Sequence, residues 1–222
     1  MKNITLVSAT RGANLEDKAL GKSLRRIPGI SKTCIVYSNT DGLCTVYNRF
    51  LTEEYKDDIL LFVHDDVFLE DYWLAQRLNE ALNTFDVVGI AGQSDPPPSA
   101  IWDSGENPEC VARWDAGTVA MGDTPLTSDC IAFHGSSPRS CYMIDGLFIA
   151  VNTQKLLEFD VRFDESFAFG LYDLDFSRTC LQKGLKIGVW PIVVTHQGFG
   201  RVVGSDLWFK ERDIYKEKWG NG

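Results

Sequence analysis

One apolar run constrains this chain more than any other feature. Residues 59–63 (ILLFV) are apolar without interruption, and they end directly at His64, Asp65 and Asp66. Such a run predicts a strand covered on both faces, which is typical of a parallel sheet. Two carboxylates and an imidazole beside a buried strand are costly without a counter-charge. We therefore predict a divalent cation at the carboxyl end of this strand, where open α/β sheets bind ligands; the alternative is an ordinary acidic turn.

The composition narrows the class of protein. The 222 residues suffice for one sizeable globular domain, with 44% hydrophobic and 24% charged residues. The net charge of −9 argues against a nucleic-acid-binding protein, and an acidic protein needs a cation to hold phosphate. No apolar run approaches the roughly 18 residues of a membrane span and the amino terminus lacks a secretory signal, so we expect a cytoplasmic protein without a transmembrane segment.

The six cysteines form no CxxC pair. This spacing predicts scattered thiols rather than a zinc site or a disulfide framework, with one or two disulfides as the alternative.

The first 91 residues alternate between strand and helix patterns. The predicted strands are residues 4–9, 33–37, 59–63 and 87–91, and the predicted helices are residues 15–26, 43–52 and 69–82. This alternation predicts βαβ units and a mostly parallel, Rossmann-like sheet. Residues 92–141 are rich in Pro, Ser, Gly and Asp, which predicts functional loops and one or two short antiparallel strands. Trp102 and Trp114 in this part are candidates to stack on a sugar; the alternative is that both are core anchors.

The last third carries a second group of chemically active residues. A strand at 143–151 and a short helix at 152–157 precede a helix that Asp173 and Asp175 open and that Gly184 ends as a left-handed cap. Helix capping is the alternative explanation for both acids. His196 ends the next strand pattern, and in company with His64 and Asp66 it becomes a candidate metal ligand.

The order of these motifs resembles the inverting glycosyltransferases of family 2, which have the GT-A fold. The resemblance covers nearly the whole chain and is strongest over residues 145–200, with "FDESF…YDLDFSRTCLQKGLKIGVWPIVVTHQGFG". The metal motif of the family is commonly Asp-Asp-Asp or Asp-x-Asp, and here it is the His-x-Asp variant His64-Asp65-Asp66. Asn48 matches the asparagine that precedes the metal strand in the family, whereas Asn39 stands where the family usually has an acidic pair.

This resemblance implies one α/β GT-A domain over residues 1–222. Residues 1–91 would be its nucleotide-binding half and residues 92–204 its acceptor and catalytic half, with a small antiparallel part. The apolar face of a C-terminal helix at 205–222 would pack on the domain or form a dimer contact.

The implied reaction is metal-dependent inverting transfer of a sugar from a nucleoside-diphosphate sugar, UDP by family analogy, to a hydroxyl of a glycan or glycoconjugate. Asp173 would be the catalytic base. Asp66 and His196 would hold Mn²⁺ or Mg²⁺, with His64 as a further ligand or a hydrogen-bond partner. The residues implied to contact the donor are Thr10, Arg11, Asn39, Asn48, Asp65, Asp145, Gly146 and Arg201. For Arg201 the alternative is a solvated surface arginine.

Two other functions stay open at this point. A sugar-phosphate nucleotidyltransferase also binds nucleotides and metal on a related sheet, but no glycine-rich phosphate loop with a lysine follows the first strand. A non-catalytic sugar- or nucleotide-binding module would be favoured if Asp173 were buried and capped rather than lining a cleft. Donor sugar, acceptor and base depend on pocket shape rather than on these motifs.

Overall fold

Two β-sheets and the helices packed around them make up the described part of the chain. The structure is a computed structural model, and it describes residues 1–96, 114–124, 129–198 and 204–220. The strands are β1 (Ile4–Ala9), β2 (Lys32–Val36), β3 (Ile59–Val63), β4 (Val67–Leu69), β5 (Val87–Gly89), β6 (Ala91–Gln93), β7 (Ala116–Met121), β8 (Cys130–Gly135), β9 (Arg139–Ser140), β10 (Met143–Ile144), β11 (Phe148–Asn152), β12 (Ile187–Val189) and β13 (Val194–His196). The helices are α1 (Ala19–Leu24), α2 (Leu43–Asn48), α3 (Leu74–Ala81), α4 (Thr153–Glu158), α5 (Tyr172–Gln182) and α6 (Asp206–Trp219), with a 3₁₀ turn at Glu53–Tyr55.

The larger sheet is mostly parallel, as the alternating pattern predicts. Its strand order is β2-β1-β3-β11-β5-β12-β9. Strands β2, β1 and β3 run in parallel, β11 enters antiparallel between β3 and β5, and β12 is parallel to β5. Strand β3 is buried throughout, with Leu60 and Phe62 in one hydrophobic cluster and Ile59, Leu61 and Val63 in the other. The alternation of side chains along a strand explains why an unbroken apolar run is needed there.

The second sheet brings the last predicted strand to the end of β3. Its order is β10-β6-β7-β13-β4, and β8 pairs with β7. Strand β13 is antiparallel to β4 and parallel to β7, so His196 is the register partner of Val67 and of Met121. His196 therefore lies beside the turn that follows β3.

Several predicted elements divide where the chain passes from one sheet to the other. The strand predicted at 87–91 is two strands, β5 in the larger sheet and β6 in the smaller one, and the strand predicted at 143–151 divides into β10 and β11. Between the latter two, the Leu147 N–H donates to Oδ1 of Asp145 at 3.0 Å, which closes a turn. Apolar residues on both sides hide such breaks in the sequence pattern. The helix predicted at 69–82 begins only at Leu74, because residues 67–69 continue as β4.

The C-terminal helix packs on the domain, one of its two predicted positions. Trp208 and Tyr215 of α6 are buried in the core. Asp175, buried in α5, accepts hydrogen bonds from Lys218 at 3.0 Å and from the indole of Trp219 at 2.8 Å. Asp175 is thus a structural residue that joins the two helices. The predicted end of α5 is confirmed, since Gly184 follows it with φ of 81°.

The remaining sequence expectations concern single residues. Trp114 is partly buried against the core, which supports the anchor interpretation, whereas Trp102 lies outside the described residues. Cys34, Cys44, Cys130, Cys141 and Cys180 are free thiols, and Cys110 is not described. Within the described ranges, the helices are all too short or too polar to cross a membrane.

Candidate functional site

Asp66 and His196 form a pair at the carboxyl end of β3. The His196 Nε2 atom lies 3.2 Å from Oδ2 of Asp66. Burial alone would raise the pKa of Asp66 and lower that of His196, but their hydrogen bond and opposite charges outweigh burial, so the pKa of Asp66 is lowered and that of His196 is raised. The other carboxylate oxygen, Oδ1 of Asp66, is buried and has no hydrogen-bond partner among the described residues. A buried acceptor without a partner beside an imidazole fits a divalent cation.

Gly198 makes room for this pair. An ideal Cβ at Gly198 would lie 2.4 Å from Oδ2 of Asp66 and 3.4 Å from Nε2 of His196. The preceding Gln197 N–H donates to the Asp66 carbonyl at 2.8 Å, which ties the exit of β13 to the metal motif. Gly198 was not predicted as a site residue, although a glycine two residues after a strand-end histidine indicates a place where the chain passes close to the site.

His64 is directed to Tyr172 instead of joining this pair. Its Nε2 atom lies 2.8 Å from the Tyr172 hydroxyl, which donates to the Gly146 carbonyl at 2.8 Å. The hydroxyl has one hydrogen to donate: when it goes to the Gly146 carbonyl, Nε2 of His64 donates to the hydroxyl oxygen, and only Nδ1 is left for a metal. Burial lowers the pKa of His64 and favours the neutral ring. Within the described ranges, no three His, Cys, Asp or Glu side chains are arranged as a metal-ligand cluster.

The turn at Asp145 and Gly146 faces the start of α5. The Gly146 N–H donates to Oδ2 of Asp173 at 2.9 Å, and the Leu174 N–H donates to Oδ1 at 2.9 Å. The second bond is a local helix-end contact, whereas the first is a tertiary contact, so capping alone does not account for Asp173. Burial and the negative charge of Asp145 raise the pKa of Asp173 to about 7, and the residue is still partly exposed. A carboxyl group with these properties is suited to general acid–base chemistry.

Thr10, Arg11 and Asn39 lie together at the carboxyl ends of β1 and β2. The Asn39 N–H donates to the Thr10 carbonyl at 2.9 Å. The side chain of Asn39 bonds the backbone of Asp41 in both directions, and the buried Thr10 hydroxyl accepts from Gly12 at 3.1 Å. Arg11 is exposed. The structure thus places the three residues at one sheet edge, although the Asn39 amide is engaged in its own turn.

The other predicted donor-binding residues have different surroundings. Asp65 is partly exposed and its carboxylate lies 3.7 Å from Nζ of Lys18. The Asn48 amide holds the segment that follows α4. Its Nδ2 donates to the Phe163 carbonyl at 2.8 Å and to Glu165 at 3.0 Å, and its Oδ1 accepts from the Phe163 N–H at 3.0 Å. Its role is therefore structural in this arrangement. Arg201 lies outside the described residues.

The sequence matches a family described as "Glycosyltransferase like family" over residues 16–214. Because this match spans most of the chain, the protein belongs to that family, whose members are similar to family 2 glycosyltransferases of GT-A fold. A search of curated protein sequences returns no match.

Solved structures share this fold at low sequence identity. GalNAc-T7, in its crystal structure with UDP, GalNAc and Mn2+, is 13% identical to this chain, with a TM-score of 0.61 over 99% of this chain and 48% of that one. A fragment of TarS from S. aureus, residues 1-349, is 14% identical with a TM-score of 0.50, and its complex with UDP has a TM-score of 0.51. Each TarS comparison covers 88% of this chain and 60% of the TarS fragment. The chain thus spans 48% to 60% of the length of these solved chains.

Proposed function

We propose that this protein is a metal-dependent, inverting glycosyltransferase, and that it moves a sugar from a UDP-sugar to a hydroxyl of a glycan or glycoconjugate. The observation that carries the proposal is the pairing of Asp66 with His196 at 3.2 Å, with the second oxygen of Asp66 buried and unpartnered among the described residues. The presence of UDP in structures of GalNAc-T7 and TarS, and of Mn2+ in that of GalNAc-T7, supports the choice of donor and metal.

Asp66 and His196 would hold the metal ion. One oxygen and one nitrogen ligand would form a mixed set that suits Mn²⁺ better than Mg²⁺. When bound, the ion supplies positive charge against the negative charge that develops on the diphosphate leaving group. His64, whose Nε2 is used by Tyr172, would contribute only through Nδ1 or by orienting Tyr172.

The donor would extend along the edge of the larger sheet. Thr10, Arg11 and Asn39 lie where the nucleoside would cross the ends of β1 and β2, and Asp65 would accept a hydrogen bond from a ribose hydroxyl. Asp145 would accept hydrogen bonds from the sugar. The missing side chain of Gly146 makes room for the Tyr172 hydroxyl and the Asp173 side chain, so the predicted role of Gly146 in the close approach of the sugar is replaced by this packing role. Arg201 would add positive charge next to the diphosphate.

Asp173 would act as the general base. In a single displacement, the acceptor oxygen forms a bond to the anomeric carbon while the bond from that carbon to the diphosphate oxygen breaks. The acceptor proton passes to the Asp173 carboxylate, and the nucleoside diphosphate leaves with the electron pair. A pKa of about 7 lets this group be substantially ionised near neutral pH and still bind a proton effectively.

The test is a transfer assay with a defined set of donors. The protein is incubated with UDP-glucose, UDP-galactose, UDP-N-acetylglucosamine or UDP-N-acetylgalactosamine, a panel of oligosaccharide acceptors, and either Mn²⁺ or EDTA. We expect Mn²⁺-dependent UDP release and a product whose anomeric configuration, measured by NMR, is opposite to that of the donor. A product of retained configuration, or equal turnover in EDTA, contradicts the proposal.

A further inference from the structure

Glu211 of helix α6 is a buried carboxylate held by three consecutive backbone N–H groups. Its Oε1 accepts from Ala168 at 2.5 Å and from Phe169 at 3.2 Å, and its Oε2 accepts from Gly170 at 2.5 Å. The residue is only 1% exposed. A buried carboxylate is costly without such donors, and successive N–H groups that converge on an anion form a concave binding site for it. Glu211 therefore fixes the backbone of residues 168–170.

This segment leads directly into the site. The Phe169 ring stacks on the His64 ring, with centroids 5.5 Å apart and an interplanar angle of 29°. Leu171, which follows Gly170, has a left-handed φ of 55° and precedes the first residues of α5, Tyr172 and Asp173. The backbone of residues 168–170 thus sets both the ring that covers His64 and the entry to the helix that carries Asp173.

The same segment is held on its other side by α2. The Leu43 N–H donates to the Ala168 carbonyl at 2.8 Å, and an ideal Cβ at Gly42 would lie 2.8 Å from Cα of Ala168. Toward α6, an ideal Cβ at Gly170 would lie 2.6 Å from Oε2 of Glu211. Both glycines permit close approach, and the segment is confined between two helices.

We propose that Glu211 is a positioning residue for glycosyl transfer. Its carboxylate holds residues 168–170 so that Phe169 rests on His64 and Asp173 is presented at the start of α5. Glu211 acts through this backbone and not through contact with the reacting atoms. The inference rests on the proposed function, since it requires that Asp173 takes part in the transfer.

Glu211→Gln is the direct variant, because it keeps the shape and removes one acceptor oxygen. The new NH₂ group faces an N–H donor of the segment, so one of the three hydrogen bonds becomes a repulsive contact. We expect kcat for UDP release from the UDP-sugars to fall about 10- to 100-fold, the range for small misplacements of catalytic groups. The Kd of UDP in Mn²⁺ should change by less than about 3-fold, because the substitution leaves the residues proposed to bind the nucleotide and the metal unaltered. Glu217→Gln, at an exposed position of the same helix, is the matched control.

Amide hydrogen exchange gives a readout that does not depend on activity. We expect the Ala168, Phe169 and Gly170 amides to be protected in the wild-type protein and to exchange faster in Glu211→Gln, with the core of β3 unchanged. Unprotected wild-type amides at these positions would overturn the inference, as would a folded Glu211→Gln whose kcat equals that of Glu217→Gln.

A second variant covers the case in which Glu211→Gln does not fold. Gly170→Ala places a methyl group against the Glu211 carboxylate and should give the same loss of kcat and of amide protection. An unchanged kcat together with faster exchange of the amides of residues 168–170 would overturn the inference. If the wild-type protein releases no UDP from any donor, the proposed function fails, and the amide exchange still decides whether Glu211 holds the segment.

Discussion

The backbone N–H of Gly146 donates a hydrogen bond of 2.9 Å to Oδ2 of Asp173. This bond joins the turn between β10 and β11 to the first turn of α5, two parts of the chain that are far apart in sequence. Burial and the nearby Asp145 raise the pKa of this partly exposed carboxyl group to about 7, against the effect of the Gly146 hydrogen bond, which by itself lowers it. The position and the protonation behaviour of Asp173 support its assignment as the general base.

Replacing Asp173 by Asn is expected to lower kcat at least about 100-fold, because general-base catalysis contributes that much or more. The Kd of UDP in Mn²⁺ should stay within about 3-fold of wild type, since the described hydrogen bonds of the Asp173 carboxylate go to Gly146 and Leu174 rather than to residues proposed to hold the nucleoside or the metal. Turnover is measured by UDP release and binding by calorimetry. The exposed Asp57→Asn is the control; parallel losses of turnover and of UDP affinity would contradict the proposed division of roles.

The pH dependence of turnover should follow the ionisation of Asp173. Because the base must be deprotonated, kcat should rise with pH through about 7 and level off above it. The measurement is a kcat profile from pH 5 to 9 at saturating donor and Mn²⁺. A profile that falls across this range would be incompatible with Asp173 as the base.

The contribution of Asp173 to the free energy of unfolding should change with pH in the opposite direction to kcat. The folded state raises the pKa of Asp173 from 3.8 to about 7 and so binds its proton more tightly than the unfolded chain does. The contribution of this group to the unfolding free energy is therefore most favourable below about pH 4 and declines as pH rises through 7. Urea unfolding of wild type and Asp173→Asn at pH 5 and pH 8 should show a smaller decline in the variant; an equal decline in both would count against the raised pKa.

Asp66→Ala removes a proposed metal ligand, and Gly198→Ala should displace the same carboxylate without removing it. The Cβ added at Gly198 would lie 2.4 Å from Oδ2 of Asp66, so the Asp66 side chain must move. We expect both variants to weaken Mn²⁺ binding in the presence of UDP about 10- to 100-fold, as judged by the EPR signal of free Mn²⁺. The exposed Asp57→Ala should bind Mn²⁺ like wild type, and wild-type affinity in Asp66→Ala would exclude this metal site.

Tyr172→Phe tests the Tyr172 hydroxyl, which bridges Nε2 of His64 and the Gly146 carbonyl. Loss of the hydroxyl leaves the Nε2–H of His64 and the carbonyl of Gly146 without this partner in a buried site. We expect the free energy of unfolding to fall by about 1–3 kcal/mol, measured by urea denaturation. Tyr72→Phe, at a side chain 63% exposed, should change it by no more than about 0.5 kcal/mol. Equal effects of the two substitutions would show that the hydroxyl bridge is unimportant for stability.

Patterns within short stretches of sequence predicted individual strands and helix ends. The unbroken apolar run of residues 59–63 predicted a strand buried on both faces, and Gly184 predicted the end of α5. The candidate ligands Asp66 and His196 could be named because each follows a strand pattern. Their distance could not be predicted, because it depends on the pairing of β13 with β4, which places His196 beside Val67.

Close contacts between residues that are remote in sequence gave no comparable pattern in the sequence. Gly198 is needed because of the Asp66 carboxylate, and the Asn48 amide is used by Phe163, a residue remote in sequence. Glu211 lies three residues after Trp208 and four before Tyr215, on the buried face of α6. A glutamate there was an anomaly in an otherwise apolar face, and only the structure shows the three N–H groups that accommodate it.

The most direct test of the central claim is calorimetric titration of the wild-type protein with UDP, GDP and dTDP, each in Mn²⁺ and again in EDTA. The account predicts tight UDP binding in Mn²⁺ that is lost in EDTA, with weaker binding of the other nucleotides. Failure of the folded protein to bind any of the three nucleotides in a metal-dependent manner would contradict it.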